Sequence, residues 1–422
     1  MAKAKQDFVK IQNIPDHSYN DYVDEKKNEI LSYHLQHNPF YKNFTSGIDI
    51  HNWNDVPVLT KSDFQIPLHQ RLSEGFTTKN CHIHKTSGSS GTPLIFAKDK
   101  YAHALTWANF IDRYSWYGIN AASSKQARFY GIPLHGFAHY KERFKDILGN
   151  RFRFSVFDLS PKKLDENLHV FSKTAFEYIN GYTSAIVQFA KYLNRQGIVL
   201  KDICPSLTVC IVTAEMLFEA DKALLEACLG IPVVNEYGSA ELGLIAFNDH
   251  SERWLVNSED LFIEILDDNN MPLPLETIGR VVVTSLYNKA HPFIRYELGD
   301  VGMLERNSTC KYPVLKYLEG RTSDIVKLPS GKTAAGLTFY YVTKTVIEDD
   351  ANVTEFIIEQ TKLDTFKILY NSKNTLSKEK IEAISTAVKQ YLEPGLKLNF
   401  ERKDKIKRSK SGKLKQFTSL ID

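Results

Sequence analysis

The stretch KTSGSSGTP, residues 85–93, is the part of this chain that says most about its fold. It gathers hydroxyl side chains and two glycines into one short turn. Such a turn exposes backbone N–H groups together with side-chain hydroxyls, and both kinds of donor bind phosphate oxygens well. It is not a P-loop, because the G-x-x-x-x-G-K-S/T spacing is absent. A turn of this composition is more often a plain surface loop when it stands alone, so its meaning depends on the rest of the sequence.

Length and composition restrict the class of protein. A chain of 422 residues, 43% hydrophobic and 24% charged, is expected to form two or three globular domains. Its net charge is only +3, which argues for neither nucleic acid nor a membrane surface as a partner. The five cysteines form no C-x-x-C pair, which favours a reducing compartment over a zinc site or disulfides. Without a signal-peptide pattern or a long apolar run, the sequence predicts a cytoplasmic protein with no membrane span.

Helical and strand-like segments alternate through most of the chain. Helices are predicted over residues 21–37, 101–117, 168–176 and 184–193, and short strands over 207–212, 232–234, 261–266 and 280–285. This alternation predicts an α/β fold with parallel strand segments. Beyond residue 321 the pattern changes to a smaller α+β module, with a hairpin at 329–331, strands at 354–359 and 366–370, and a helix at 378–392.

Two polar segments follow predicted strands. The first is NEYGSAE, residues 235–241, and open α/β sheets bind ligands where a strand ends in such a turn. Its Tyr237 can lie against a flat base and its Glu241 can hold Mg²⁺, although Glu241 could equally stand in the first turn of a helix. The second is PFIRYELGD, residues 292–300, whose Asp300 suits ribose hydroxyls, although Gly-Asp is also a common turn pair.

Three further segments complete the pattern: PVLTKSD at 57–63, GRTSDIVK at 320–327 and DKIKRSKSGKLK at 404–415. The last of these could be a solvated basic tail or a nucleic-acid arm. The Ser-Gly-Lys inside it instead favours a structured loop that delivers one lysine.

Together these six segments resemble the core motifs of the adenylate-forming superfamily, which includes acyl-CoA synthetases, adenylation domains of peptide synthetases and luciferases. The resemblance is strongest to the phenylacetate–CoA ligase branch and its relatives associated with capsule biosynthesis. That branch shares the P-x-x-T-K-x-D pattern of residues 57–63 and the P-x-I-R-Y-x-x-G-D pattern of residues 292–300. The similarity covers most of the chain, and it implies an α/β fold with two domains. A large N-terminal domain of mixed sheets and packed helices spans residues 1–320, and a small, mobile α+β C-terminal domain spans 321–422.

The resemblance also implies a role for each motif residue. The residues expected to bind the ATP phosphates are Thr86, Ser87, Gly88, Ser89, Ser90, Gly91 and Thr92. The adenine is expected against Asn235, Glu236, Tyr237 and Gly238, with Ser239 facing the α-phosphate. Asp300 and Arg321 are expected to bind the ribose, Glu241 to hold Mg²⁺, and Lys413 to enter the site for the first half-reaction. Lys413 and Glu241 are therefore the expected catalytic residues.

The activity implied by the resemblance is AMP-forming ligation of a carboxylic acid, with aryl acids among the candidates. ATP converts the acid to an acyl-adenylate, and the acyl group then passes to CoA after the C-terminal domain rotates. Attack of a carboxylate on phosphorus brings two anions together, so positioned cations and N–H donors are the natural way to lower the barrier. Two alternatives stay open. One is an acceptor other than CoA, such as a sugar amine or hydroxyl, a carrier-protein thiol or a protein cysteine, and the other is a non-catalytic nucleotide-binding relative.

Further interpretations concern the hinge, a cap and the acyl pocket. The hinge is expected at Ser323 or Asp324. The segment at 157–160 resembles the amino-binding segment of peptide-synthetase adenylation domains, but it precedes a predicted helix, so Asp158 or Ser160 is better interpreted as the cap of that helix than as an amino-group ligand. Aromatic residues such as Phe129 and Tyr130 suit an aryl or apolar acid, although a hydrophobic core would use them equally well.

Overall fold

The computed structural model describes residues 1–86, 94–130, 137–156, 159–319, 325–331, 333–335, 353–407 and 414–421. The chain forms two compact units, Met1–Leu318 and Glu319–Asp422. All five cysteines are free thiols. In the ranges just given, no helix is both long and apolar enough to cross a bilayer.

The helices of the larger unit include one whose start is set by a capping residue. Those described are α1 (Ala2–Gln12), α2 (Asp16–His37), α3 (Pro39–Phe44), α4 (Lys100–Ser115), α5 (Phe137–Leu148), α6 (Pro161–Lys173), α7 (Thr183–Gln196), α8 (Leu200–Ile203) and α9 (Glu219–Leu229). The helix predicted over 168–176 begins earlier, because Ser160 caps it and Pro161 is its first residue. The Ser160 hydroxyl accepts the Lys163 N–H at 3.4 Å, which confirms it as a cap. Asp158 lies outside the described residues.

Strands of the larger unit form a hairpin and one mixed sheet. The hairpin pairs β1 (His82–Lys85) with β2 (Ile95–Lys98). The strands of the sheet are β3 (Gln126–Phe129), β4 (Arg151–Phe154), β5 (Tyr178–Tyr182), β6 (Val209–Thr213), β7 (Val233–Ser239), β8 (Gly243–Asn248), β9 (Trp254–Val256), β10 (Leu261–Leu266), β11 (Gly279–Ser285), β12 (Tyr296–Leu304) and β13 (Val314–Glu319). Within the described residues their order is β10-β11-β12-β13-β9-β8-β7-β6-β5-β3-β4.

The sheet changes character at β7. On one side, β4, β3, β5, β6 and β7 run parallel, as the alternation of helices and strands predicts. On the other side β7, β8 and β9 pair antiparallel, as do β10, β11 and β12. The predicted mixed α/β architecture is confirmed, and β7 is the strand that belongs to both halves.

The two faces of the parallel half differ in chemistry. One face packs against α6, α7 and α9 through a fully apolar core in which the Phe129 and Phe154 rings stack at 4.8 Å. Gly181 of β5 is required there, because a Cβ would lie 2.4 Å from the Phe129 carbonyl oxygen. Phe129 is therefore a core residue rather than part of a pocket. The opposite face carries α4, and polar side chains interrupt its apolar contacts.

The smaller unit is an α+β module. Its described elements are β14 (Ile325–Lys327), β15 (Thr333–Ala335), β16 (Val353–Lys362), β17 (Thr365–Ser372), α10 (Lys378–Tyr391), β18 (Lys397–Lys403) and β19 (Phe417–Ser419). The hairpin predicted at 329–331 joins β14 to β15, with Gly331 at φ +81°. The other strands form a sheet in the order β18-β17-β16-β19. The buried Gln360 amide hydrogen-bonds the backbone N–H and C=O of Lys327, which fastens the hairpin to that sheet.

Candidate functional site

The candidate site lies where the parallel strands end. The carboxyl ends of β3, β5, β6 and β7 meet at one edge of the sheet, which is where open α/β sheets bind ligands. The predicted motif residues Asn235, Glu236, Tyr237, Gly238 and Ser239 form the last part of β7. The strand predicted over 232–234 therefore continues through the motif, and the turn to β8 follows it.

Tyr237 and Asp300, 63 residues apart, are joined by a hydrogen bond. The Tyr237 hydroxyl donates to Asp300 Oδ2 at 2.6 Å. Asp300 lies within β12, directly after Gly299 at φ +80°, so the interpretation of Gly-Asp as a turn pair is wrong. The fold thus brings the residue predicted for the adenine and the residue predicted for the ribose to one place. Their individual ligand contacts stay predictions.

Glu241 lies in the turn between β7 and β8, so its interpretation as a helix-start residue is wrong. The side chain is 5% exposed, and the Tyr296 hydroxyl donates to its Oε1 at 3.4 Å. The Ser239 hydroxyl accepts the Leu242 N–H at 3.1 Å and holds the turn. One carboxylate suffices for Mg²⁺, which is usually held by one or two carboxylates together with substrate phosphates. Across the described ranges, no group of three or more His, Cys, Asp or Glu residues could hold a metal by itself.

Buried charged side chains lie between α4 and the sheet close to Glu241. We call this set the buried charge layer, and its members are Lys98, Arg113, Glu241, Glu259 and Asp260. The Lys98 ammonium donates to the Thr106 hydroxyl at 3.1 Å. Arg113 donates from Nη2 to both carboxylate oxygens of Glu259 at 2.7 Å. The Asn109 amide donates to Asp260 at 2.8 Å.

Desolvation governs the ionisation of this layer. Burial lowers the pKa of Lys98, and the negative charges of Asp260 and Glu241 oppose that shift. Burial likewise raises the pKa of Asp260, and the Lys98 charge opposes the rise. Each ion is therefore tolerated because the other is near. The sequence analysis did not identify Lys98. In the sequence it is distinguished only as a charged residue at the end of a short apolar strand.

Two hydrogen bonds join Thr86, where the predicted phosphate-binding stretch begins, to Leu94, just after it ends. The Thr86 N–H donates to the Leu94 carbonyl at 2.9 Å, and the Leu94 N–H donates to the Thr86 hydroxyl at 2.9 Å. The buried Arg71 donates to the Ile95 carbonyl at 2.7 Å and anchors β2. The remaining predicted loop residues lie outside the described residues: Ser87, Gly88, Ser89, Ser90, Gly91 and Thr92. The same is true of Arg321, Ser323, Asp324 and Lys413, so their predicted roles stay predictions.

The remaining residues of the β7 motif make backbone contacts with β8 or a side-chain hydrogen bond to α4. The Asn235 N–H donates to the Asn248 side chain at 2.9 Å, which aligns β7 with β8. Gly238 permits a close approach, since a Cβ would lie 2.6 Å from the Gly243 carbonyl oxygen. The Glu236 carboxylate accepts the Tyr114 hydroxyl of α4 at 2.7 Å, so its side chain faces that helix. The predicted contact of this residue with the adenine stays a prediction.

Comparison with known proteins gives relatives of low identity and a matching fold. No family model matches the chain. Protein CapK of Staphylococcus aureus is 22% identical over 423 residues, which covers 96% of this chain and 88% of that protein. A phenylacetate-coenzyme A ligase of Thermus thermophilus is 22% identical over 341 residues, covering 75% of this chain and 73% of the relative. A structure of 2-hydroxyisobutyryl-CoA ligase with R3-HIB-AMP superimposes with a TM-score of 0.73 at 15% identity, covering 98% of this chain and 92% of that one. The resemblance to the adenylate-forming superfamily, in its phenylacetate–CoA ligase-like form, is therefore confirmed.

The buried charge layer makes a prediction about stability. Replacing Lys98 by Met should lower the free energy of unfolding by about 3 kcal/mol, because Asp260 and Glu241 lose their buried counter-ion. Adding Asp260→Asn to Lys98→Met should restore at least half of the loss, because one uncompensated carboxylate is then removed. Urea unfolding followed by circular dichroism at neutral pH measures both changes.

The exposed Lys100→Met, two residues along the chain, is the matched control and should change stability little. A Lys98→Met protein as stable as the parent would show that Lys98 does not compensate these carboxylates. A further loss on adding Asp260→Asn would show the same.

Proposed function

We propose that this protein is an AMP-forming ligase that activates a carboxylic acid with ATP and transfers the acyl group to CoA. The observation that carries the proposal is the 2.6 Å hydrogen bond between Tyr237 and Asp300, which unites two motifs predicted to bind one nucleotide. The similarity to a phenylacetate-coenzyme A ligase over 75% of the chain supports it. So does the matching fold of 2-hydroxyisobutyryl-CoA ligase, whose structure is a complex with R3-HIB-AMP. A cytoplasmic location, where ATP and CoA are present, is part of the proposal.

In the first half-reaction, a carboxylate oxygen of the acid forms a bond to the α-phosphorus of ATP. The bond from that phosphorus to the pyrophosphate oxygen breaks, and pyrophosphate leaves. Residues 86–92 would hold the departing phosphates, and Asp300 and Arg321 would hold the ribose. The Tyr237 hydroxyl orients the Asp300 carboxylate through a charge-assisted hydrogen bond. Mg²⁺ bound at Glu241 would neutralise charge on the phosphates, and Lys413 would stabilise charge that develops between the reacting groups.

In the second half-reaction, the CoA thiolate attacks the acyl carbon and AMP leaves. Lys413 must contact the reacting groups first, and the thiol then needs an open path to the same carbon. Rotation of the domain at 321–422 about Ser323 or Asp324 would satisfy both requirements in turn. An amine, a sugar hydroxyl or a protein thiol is the alternative acceptor. Measuring whether AMP formation is accelerated by CoA or by one of those acceptors decides between them.

The proposed function is tested by pyrophosphate release across aryl, fatty, amino and sugar acids, with and without CoA. We expect acid-dependent release by the parent protein and at least about a hundredfold lower ATP–pyrophosphate exchange for Lys413→Ala. The KM for ATP should change little, because this cation acts mainly on charge that develops in the transition state. Lys407→Ala removes an exposed lysine of the same basic segment and should behave as the parent.

Pyrophosphate release that no acid stimulates would contradict the proposed function. Acid-dependent exchange that is normal in Lys413→Ala would leave the function standing and remove Lys413 from it.

The metal assignment gives a separate prediction. Glu241→Gln should raise the Mg²⁺ concentration for half-maximal exchange by about tenfold and lower the maximal rate, because a neutral amide binds a hard dication more weakly than a carboxylate. Titrating Mg²⁺ in the exchange assay measures this change. Glu25→Gln, on the exposed side of α2, serves as the control. If the Mg²⁺ titration of Glu241→Gln overlays that of the parent, Glu241 does not hold the metal.

A further inference from the structure

Helix α5 carries apolar side chains on the side that faces away from the protein. They recur at helical spacing, and they define what we call the outer face of α5: Tyr140, Phe144, Ile147 and Leu148. With about 3.6 residues per turn, these positions fall within about 100° of arc and form one stripe. The four residues are between 62% and 74% exposed. The stripe is therefore an apolar surface in contact with solvent.

The side of α5 that faces the protein carries a buried charge. Asp146 lies on the opposite side of the helix from the stripe and is 2% exposed. Its carboxylate accepts from Arg151 Nε at 2.6 Å and from Arg153 Nη2 at 2.9 Å, both on the adjoining strand β4. A surface helix of a globular protein normally does the reverse, with apolar side chains inward and charges outward. An outward apolar stripe of this kind marks a surface that binds a membrane or another protein.

Positive charge surrounds the outer face of α5. Residues 137–154 contain five Lys and Arg against two Asp and Glu, and Asp146 is already paired with arginines of β4. Lys145 is exposed on α5 itself. The Arg143 guanidinium lies over the ring of Phe152, 5.7 Å from its centroid, and that ring belongs to a residue of β4 that is also exposed. The apolar stripe thus lies beside an excess of basic side chains.

We propose that the outer face of α5 docks on the surface of a lipid bilayer that contains anionic lipids. Helices that lie in the plane of a membrane interface combine an aromatic and aliphatic face with Lys and Arg beside it, as α5 does. Tyr140 suits this depth, because its ring is apolar and its hydroxyl can stay among the headgroups. Anionic headgroups attract Arg143 and Lys145, while the acyl chains remove the stripe from water.

A second copy of the chain fits this surface less well. Two copies that met through α5 would bring the same basic side chains together, and like charges that face each other are destabilising. Within the described residues β4 is the last strand on its side of the sheet, so it could also pair with another copy. Its Arg151 and Arg153 oppose that pairing, since charged side chains on an edge strand discourage it. The charge pattern therefore favours an anionic surface over self-association.

Co-sedimentation with lipid vesicles tests the proposal and needs neither ATP nor an acid. The parent protein should bind vesicles of equal parts phosphatidylcholine and phosphatidylglycerol at least about tenfold more tightly than vesicles of phosphatidylcholine alone. Changing Phe144→Ser together with Ile147→Ser should weaken binding to the anionic vesicles at least about tenfold, because apolar area is lost from the bilayer contact. Changing Arg143→Gln together with Lys145→Gln should remove most of the preference for anionic vesicles, because the attracting charges are gone.

The matched control changes Leu275→Ser together with Ile278→Ser, two exposed apolar residues between β10 and β11, and should bind as the parent does. A parent protein that binds neither kind of vesicle, or both equally, overturns the proposal. So does unchanged binding by the Phe144→Ser, Ile147→Ser protein, with folding verified by thermal unfolding. A dimer that those two changes abolish in analytical ultracentrifugation, without vesicle binding, would make the outer face of α5 a contact between copies and also overturn it. The proposed function is unaffected by any of these results, since pyrophosphate release tests it separately.

Discussion

Desolvation of charge between α4 and the sheet is the constraint on which the rest of this structure depends. Arg113 and Glu259, 146 residues apart, meet in a two-pronged ion pair while both are almost fully buried. Charges removed from water in this way are tolerated only with partners in good geometry, which limits where α4 can lie relative to Glu259. Once α4 is fixed, Tyr114 reaches Glu236 and Thr106 reaches Lys98. The buried charges and these two contacts therefore lie on the same helix, next to the candidate site.

The sheet serves two purposes because its faces differ. The face under α6, α7 and α9 is apolar, and its stacked phenylalanines provide hydrophobic stabilisation without chemistry. The α4 face gives up part of that stabilisation for polar groups, as functional sites commonly do. β7 links the two halves of the sheet, since it pairs parallel with β6 and antiparallel with β8. The motif at its end contacts both, since Glu236 accepts a hydrogen bond from Tyr114 of α4 and Tyr237 donates one to Asp300 of β12.

Sequence reasoning succeeded where a local pattern carries the information. The strand predicted over 261–266 matches β10, and Ser160 caps α6, because alternation and capping are properties of neighbouring residues. The start of α6 was misplaced, since its first two turns are largely polar and lack an apolar stripe. The placement of Glu241 in a β-turn depends on the pairing of β7 with β8, which its own neighbours do not reveal. Lys98 was missed because a lone charge in a short strand acquires meaning only from distant partners.

The central claim is that the acid is activated by attack on the α-phosphorus of ATP, and an oxygen-isotope measurement tests it most directly. The acid that supports exchange is prepared with ¹⁸O in its carboxylate and converted completely with ATP and acceptor. Mass spectrometry of the nucleotide products then locates the label. The account predicts AMP that carries one ¹⁸O atom, because a carboxylate oxygen remains on the α-phosphorus when the acyl group leaves. Unlabelled AMP, or formation of ADP with the label in inorganic phosphate, would contradict it.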